Sequence, residues 1–331
     1  MIPGLSHAEV ATAAIPFRLD LLRDFRGVRF REGVLIEGPS GWGEFAPFDD
    51  YSDERAARWL ASALEAAYGT WPIAKRTAVA VNAIIPQTNF DDTMLMVQSA
   101  LNEQGCTTIK IKVGEVREEN ERVVAAVRSA MTTALGSGIG SIRLDVNGGW
   151  SVREAVEQLR MLAPYGIEYV EQPCAEIADL RELRGHDLVP IAVDESIRLA
   201  ADPAAVRVAD FADVAVLKPT TLGGVHRTLE IAESLRVSVV ISGSLDSSIG
   251  LSVGLAAAAA LPGSPTASGL GTGVLLTNDV IASPALPEGG SITSERHIPD
   301  PELLADAAAR VSPERTLWWH GRLAAAWSHL T

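Results

Sequence analysis

The stretch Ser141–Trp150, SIRLDVNGGW, decides the fold. Ile142, Leu144 and Val146 alternate with Arg143, Asp145 and Asn147, and that period of two marks a β-strand. One face is apolar and the other polar throughout. The strand then runs through Gly148-Gly149 into a helical pattern. A solvated surface strand alternates in the same way. In a barrel of parallel strands, by contrast, Arg143, Asp145 and Asn147 face the interior near the carboxyl end, where such barrels carry their active sites. Two later strands repeat the ending. Glu168–Pro173 (EYVEQP) sets Glu171 at its tip, and Pro190–Glu195 (PIAVDE) sets Asp194 at its tip. Three carboxylates on three successive strand tips form an oxygen-donor set suited to a hard divalent cation.

Outward from this stretch, strand patterns recur from Ala78 onward about every 25 to 30 residues, with helical patterns between them. They are Val79–Ile85, Thr108–Val113, Ile142–Asn147, Glu168–Gln172, Ile191–Asp194, Val214–Lys218, Val239–Ser242 and a short Ser268–Leu270. Such alternation predicts an α/β fold with a parallel sheet. Eight strands predict a (β/α)7β-type TIM barrel whose last helix is weak or missing. A doubly wound open sheet is the competing architecture. No Gly-rich fingerprint follows an early strand, however, and Gly269-Leu270-Gly271-Thr272-Gly273 comes late with the wrong spacing.

Residues 1–77 lack this rhythm. Glu9–Phe17, Gly27–Glu37 and Gly43–Ala46 read as strands, the last two joined by a Gly38-Pro39-Ser40-Gly41 turn. Ser52–Tyr68 reads as a helix, and Ala204–Ala209 as another further on. The division is therefore an α+β capping domain over 1–77, a catalytic barrel over 78–282, and a C-terminal tail over 283–331. The Trp318-Trp319 pair predicts that the tail packs back on the cap.

The formal net charge of -14, with no basic run, argues against a nucleic-acid partner. The longest apolar run, Val253–Leu261, is too short to cross a bilayer and reads as a buried helix. The first residues lack a basic segment followed by an apolar one, so no signal peptide is expected. Cys106 and Cys174 have no metal-ligand spacing and read as reduced thiols. Together these predict a cytoplasmic protein, a monomer or small homo-oligomer, with no membrane partner. None of the six histidines falls at a strand tip. Ser242, Ser244, Ser247 and Ser248 lack the Gly-x-Ser-x-Gly elbow of a serine nucleophile. Arg26 and Arg29 sit on the cap, either exposed to solvent or reaching a substrate carboxylate.

The second barrel strand, Ile109-Lys110-Ile111-Lys112-Val113, puts Lys110 and Lys112 on one face. Facing inward, an unpaired ammonium there is very costly. A third lysine, Lys218, ends the sixth strand, so three lysines and three carboxylates converge on one barrel mouth. A lysine beside other cations gives up its proton more readily and becomes a base near neutral pH.

In this order, the Lys110–Lys112 strand, Asp145-Val146-Asn147, Glu171-Gln172-Pro173, Asp194-Glu195-Ser196 and the Lys218 strand resemble the enolase superfamily. Its muconate-lactonizing-enzyme subgroup is the nearest match, and the likeness covers nearly the whole chain. The resemblance implies that Asp145, Glu171 and Asp194 bind Mg2+, with Mn2+ as the alternative ion. It implies Lys112 as the acid/base, Lys218 on the opposite face of the substrate, and Lys110 in support of Lys112. Arg143 and Asn147 are implied around the substrate or the metal. Ser242, Gly243, Ser244, Gly269 and Gly271 are implied to contact an acyl tail, largely through backbone N–H groups; Gly243 stands where a side chain is as common.

The implied substrate is a small carboxylate that loses its α-proton, giving an enediolate. A hydroxyl then leaves a cyclohexadiene and the ring becomes aromatic. An N-succinylamino acid racemase or dipeptide epimerase, with Lys112 and Lys218 as paired bases, is the alternative on the same scaffold. A Schiff-base aldolase leaves the three carboxylates without a role, and a non-catalytic binding barrel is the remaining reading. Leu19–Gly27 and Phe45–Tyr51 are expected to close over the mouth.

Overall fold

The computed structural model of the protein describes residues 4–25, 27–263 and 266–330. Arg26, named above, lies outside them. The predicted strand from Glu9 is instead a helix, α1 (His7–Thr12): Ser6 and Glu9 cap each other reciprocally, which favours helix over the short apolar alternation. The chain then forms β1 (Ala14–Phe25), β2 (Val28–Gly38) and β3 (Gly41–Phe45), an antiparallel sheet. Helix α2 (Asp53–Tyr68), capped by Ser52, packs on the hairpin. It comes so close that a Cβ on Gly43 would stand 2.0 Å from the Ala63 carbonyl oxygen.

The barrel follows as β4 (Ala78–Ala80), β5 (Ala83–Ile85), α3 (Phe90–Asn102), β6 (Thr108–Lys112), α4 (Arg117–Leu135), β7 (Ser141–Asp145), α5 (Val152–Leu162), β8 (Ile167–Glu171), α6 (Ile177–Arg184), β9 (Ile191–Val193), α7 (Glu195–Arg198), β10 (Val214–Leu217), α8 (Pro219–Leu222), α9 (Val225–Ser234), β11 (Ser238–Ile241) and α10 (Ser248–Ala260). Strands β5 to β11 pair in parallel, each with its sequence neighbour. Ser268 and Gly269 serve as the eighth strand, bridging Val81 on one side and Ser242 on the other. The predicted strand Val79–Ile85 is split: β4 leaves the barrel to pair antiparallel with β12 (Ser291–Thr293). The predicted helix Ala204–Ala209 is two 3-10 turns, Pro203–Ala205 and Val208–Asp210.

Among the described residues only a 3-10 turn, Gly273–Leu275, lies between Gly269 and the next α-helix, α11 (Pro301–Ala309), which is succeeded by α12 (Pro313–Trp327). A cavity of about 940 Å3, lined by Met96, Leu275 and Leu286 among others, lies in this sector. No helix among the described residues is long and apolar enough to cross a membrane. The Val253–Leu261 run forms the second half of α10 and its C-cap, and the helix is buried along its length.

Most of the core lies between strands and helices, where Ile109, Leu144, Val170 and Leu217 meet Val97, Val127, Leu159 and Leu183. Inside the ring, Tyr169, Ala192, Val216 and Val240 fill the floor. The tail joins the cap: Trp319 of α12 stands edge-on to Phe45 at 6.1 Å and belongs to one cluster with Val34 and Trp59. Its ring N–H and the Arg315 guanidinium both donate to the buried Glu32 carboxylate, at 3.3 and 2.7 Å. Replacing Trp319 with Ala should cost about 3–5 kcal/mol in chemical denaturation. A loss below about 1 kcal/mol would show that the tail is not part of the cap's core.

A carboxylate from the cap starts a barrel helix. Glu44 of β3 accepts from the backbone N–H groups of Ser247 and Gly250, at 3.1 and 3.3 Å, and from the Ser247 hydroxyl. Burial, reinforced by Asp246, pushes the Glu44 carboxyl up to about 8. The folded protein therefore holds this proton more tightly than the unfolded chain. The group's contribution to stability is full below about pH 4.5 and is lost as pH rises toward about 8. The thermal midpoint should fall across that window, and less steeply in Glu44→Gln. Parallel profiles for the two proteins would place the titrating group elsewhere.

Candidate active site

Register builds the mouth in rows. Lys112 pairs with Asp145 and Asp145 with Glu171, so one row crosses β6, β7 and β8. Lys110, Arg143 and Tyr169 form the next row toward the amino end. Asp194 and Lys218 extend the upper layer just beyond β9 and β10. Asp145, Glu171 and Asp194 are each no more than 2% exposed, so their charges need partners. The Lys110 ammonium supplies two contacts, 2.8 Å to Asp145 and 2.6 Å to Glu171. Lys112 donates to Asp145 at 2.6 Å and to the Asn147 side chain at 2.7 Å. Lys218 donates to Asp194 at 2.7 Å.

The two lysines of β6 are driven apart. Burial opposes the charge on Lys110, but Asp145 and Glu171 outweigh it and hold this ammonium above the ordinary lysine range. Burial also opposes the charge on Lys112 and, with Lys110 adding to it against Asp145, leaves it below that range. The carboxylates divide too. Burial works against ionisation of all three, yet Lys110 and Lys112 hold Asp145 low, and Lys218 and Arg198 hold Asp194 at about 2. Burial and the neighbouring Asp145 push Glu171 up to about 7.

Backbone geometry fixes these tips. Asn147 and Gln172, each just past a carboxylate-bearing strand, take positive φ angles of 52° and 42°. The buried Gln172 amide then sews two strand ends together. Its carbonyl accepts from the N–H groups of Asp194 and Ser196, both at 3.2 Å, and its NH2 donates to the Ser196 hydroxyl and the Cys174 carbonyl.

Other residues singled out in the sequence sit differently from expectation. Arg143 is only 1% exposed, in the lower row, with Nε and Nη2 on Glu168 and Nη1 on Asn82 and the Ala267 carbonyl. It braces the barrel wall instead of facing a substrate, because alternation sets a side chain's face and not its depth. Lys110, expected in support of Lys112, is pinned between Asp145 and Glu171. The N–H of Gly243 is taken by the Gly269 carbonyl at 3.0 Å and that of Ser244 by Asp246 at 2.7 Å, so neither is free for an acyl tail. Ser242 donates its hydroxyl to the Gly269 carbonyl, and Gly271 lies against the Asn82 carbonyl, where a Cβ would stand 2.7 Å away.

From the cap, Leu21 packs on Leu245 and Leu275 beside the mouth, and Tyr51 bonds Arg198. Arg29 is exposed and lies 3.8 Å from the Asp24 carboxylate. Arg198, Glu195 and Gln172 are the site's further members. Arg198 follows Asp194 at the i,i+4 spacing that pairs charges on a helix, a signal present in the sequence.

The donor set is oxygen-only, buried and acidic, and Glu171 Oε1 has no hydrogen-bond partner among the described residues. That chemistry fits a hard divalent cation, which Asp145, Glu171 and Asp194 could hold. As they stand, no three such groups among the described residues converge on one point, and the Lys110 ammonium lies between two of them.

Comparison with known proteins follows this geometry. Residues 93–297 match the family model Enolase C-terminal domain-like, and residues 15–67 match Enolase N-terminal domain-like. The muconate lactonizing enzyme of Pseudomonas fluorescens superposes with a TM-score of 0.75 at 20% identity, over 89% of this chain and 97% of that one. The L-Ala-D/L-Glu epimerase of Bacillus subtilis gives 0.71 at 21%, over 86% and 96%. These likenesses establish the fold, and with the family models they define the class: the chain belongs to the enolase superfamily. The o-succinylbenzoate synthase of Mycobacterium marinum is 44% identical over 99% of this chain and 97% of its own length. That of Thermobifida fusca is 44% identical over 94% of each. Within the superfamily, the protein is an enzyme of the o-succinylbenzoate synthase family.

Removing one member of the charge network tests its order. Lys110→Met leaves Asp145 and Glu171 without their shared ammonium and should cost about 3–5 kcal/mol in urea denaturation with EDTA present. Lys112→Met leaves Asp145 paired with Lys110 and should cost less. The reverse ranking would mean that Lys110 is not the main neutralising charge.

Proposed function

We propose that this enzyme dehydrates 2-succinyl-6-hydroxy-2,4-cyclohexadiene-1-carboxylate to o-succinylbenzoate, in the cytoplasm, as a step of menaquinone biosynthesis. The observation that carries the reading is the placement of Lys112, at the end of strand two of the barrel, and Lys218, just past strand six, about three buried carboxylates at one mouth. Full-length relatives bearing the synthase name support it.

In this reading Asp145, Glu171 and Asp194 hold Mg2+, with Mn2+ able to replace it. The bound ion supplies a positive charge that makes the α-proton more acidic and the developing enediolate less costly. Lys112, held below the usual lysine range chiefly by burial, takes the proton from the carbon α to the carboxylate. Asp145 and Asn147 hold its amine in place. The electron pair moves into the carboxylate and returns as the carbon–oxygen bond to the hydroxyl breaks. Lys112, now protonated, gives that same proton to the departing hydroxyl, so water leaves and the ring becomes aromatic. Lys218, paired with Asp194, stands as a cation on the other side of the substrate.

The test follows the loss of diene ultraviolet absorbance. EDTA should abolish it and Mg2+ restore it. Lys112→Arg should lower kcat by about 10²–10⁴-fold. Deuterium exchange at the α-carbon of the two enantiomers of a non-eliminating N-succinylamino acid separates the lysines. Lys112→Arg should stop exchange of one enantiomer and Lys218→Arg that of the other. Dehydration that survives Lys112→Arg but not Lys218→Arg would reverse the two roles. Turnover of N-succinylamino acids without any on the cyclohexadiene would make the enzyme a racemase.

A further inference from the structure

We infer that Arg198 is a positioning residue through which the capping domain fixes the third carboxylate of the site, so that the cap contributes to cation affinity before any substrate is present. The inference rests on the reading of Asp194 as a metal ligand. One guanidinium serves three groups on two segments: Nε donates to Asp194 Oδ1 at 3.0 Å, Nη2 to Glu195 Oε1 at 2.7 Å, and Nη1 to the Tyr51 hydroxyl of the cap. Its side chain is 11% exposed, and its planar fork fixes the directions of all three contacts together. With Oδ1 of Asp194 tied in this way, the other oxygen, Oδ2, is the one that faces Lys218.

The far end of the contact belongs to the cap. The Tyr51 ring stands edge-on to Trp59 at 4.8 Å, and its carbonyl accepts from Arg322 of α12. The cap also holds the turn itself. Helix α7 is a single turn, too short to persist alone, and the carbonyls at its carboxyl end need donors. Arg55 and Arg58 of α2 supply them, to Leu199 at 2.9 Å, to Arg198 at 3.4 Å and to Ala200 at 3.1 Å. On the other side, Glu195 accepts from the Asn147 amide at 3.2 Å, and Asn147 accepts from Lys112. A continuous set of contacts thus joins the cap, Asp194 and the amine of Lys112.

Two effects of Arg198 on a bound cation have opposite sign. Its charge repels another cation, while its fork aims the carboxylate. The structure favours the second, since both oxygens of Asp194 have fixed directions and the guanidinium charge is shared with Glu195 and Asp194.

The full-length protein, stripped with EDTA, is titrated with Mn2+ alone, and free Mn2+ is read by electron paramagnetic resonance. The wild type should bind one ion. Arg198→Met and Arg198→Lys should both bind it about 10–100-fold more weakly. Tyr51→Phe should lose about three- to tenfold and add nothing further in the Arg198→Met background. Thermal midpoints in EDTA monitor folding, and Tyr51→Phe, which removes a single oxygen, carries the test if the arginine variants do not fold. Arg198→Lys binding like wild type would show that charge alone suffices and would overturn the inference. Tighter binding by Arg198→Met would do the same by showing that repulsion dominates. Unchanged binding by Tyr51→Phe would remove the cap from the chain of contacts. A wild type that binds no Mn2+ would instead refute the metal reading itself, and this inference with it.

Discussion

The ammonium of Lys110 between Asp145 and Glu171 is the contact on which the rest of the mouth depends. Three carboxylates lie buried on adjacent strand ends, and no fold can afford that charge without cations placed among them. The barrel meets the requirement from its own strands. Register sets Lys112 directly beside Asp145, Lys110 reaches up from the row below, and Lys218 closes the far side. The floor of Tyr169, Ala192, Val216 and Val240 keeps water from reaching the group from beneath.

The same compensation makes two lysines, two positions apart, chemically unlike. Lys110 is raised because Asp145 and Glu171 outweigh its burial, and Lys112 is lowered because burial, with Lys110 adding to it, outweighs the pull of Asp145 and Glu171. Titratable groups forced apart by their surroundings are the usual mark of divided acid and base work. In the proposed reaction Lys112 is the amine that accepts a proton while Lys110 stays charged. The cap adds a second layer of control, because the segment after Asp194 is held by Arg55, Arg58 and Tyr51 and not by its own one-turn helix.

Much of this was legible in the sequence, for a physical reason. Strand alternation and strand ends are local properties, so Asp145, Glu171, Asp194, Lys110, Lys112 and Lys218 could be assigned to one barrel end from their neighbours alone. Depth is not local. Arg143 shares the face of Asp145, yet one row lower it meets Glu168 and Asn82. The competition for N–H groups at Gly243 and Ser244 is equally hidden, since the winning acceptors are the carbonyl of Gly269, on another segment, and the carboxylate of Asp246. Helix α1 failed differently: Ser6 and Glu9 spelled its capping box, but the apolar spacing of the residues after them was read as a strand. Tyr51 and Arg198 show the limit most plainly, because nothing near either residue announces a partner so far along the chain.

The contact from Arg322 to the Tyr51 carbonyl has a consequence for the order in which the protein is made. Synthesis runs from the amino end, and domains ordinarily fold as they emerge. Every barrel strand has been translated once Gly269 is out, and the parallel sheet can then close. The cap cannot follow that order, since Trp319, Arg315 and Arg322 belong to its core and arrive last. A nascent chain paused after Gly269 would carry every side chain of the mouth, together with Tyr51, Arg55 and Arg58, yet the Tyr51 carbonyl would still lack its Arg322 donor. The side chains of the site, Lys110 to Lys218, are thus written well before the last of the contacts behind them can form.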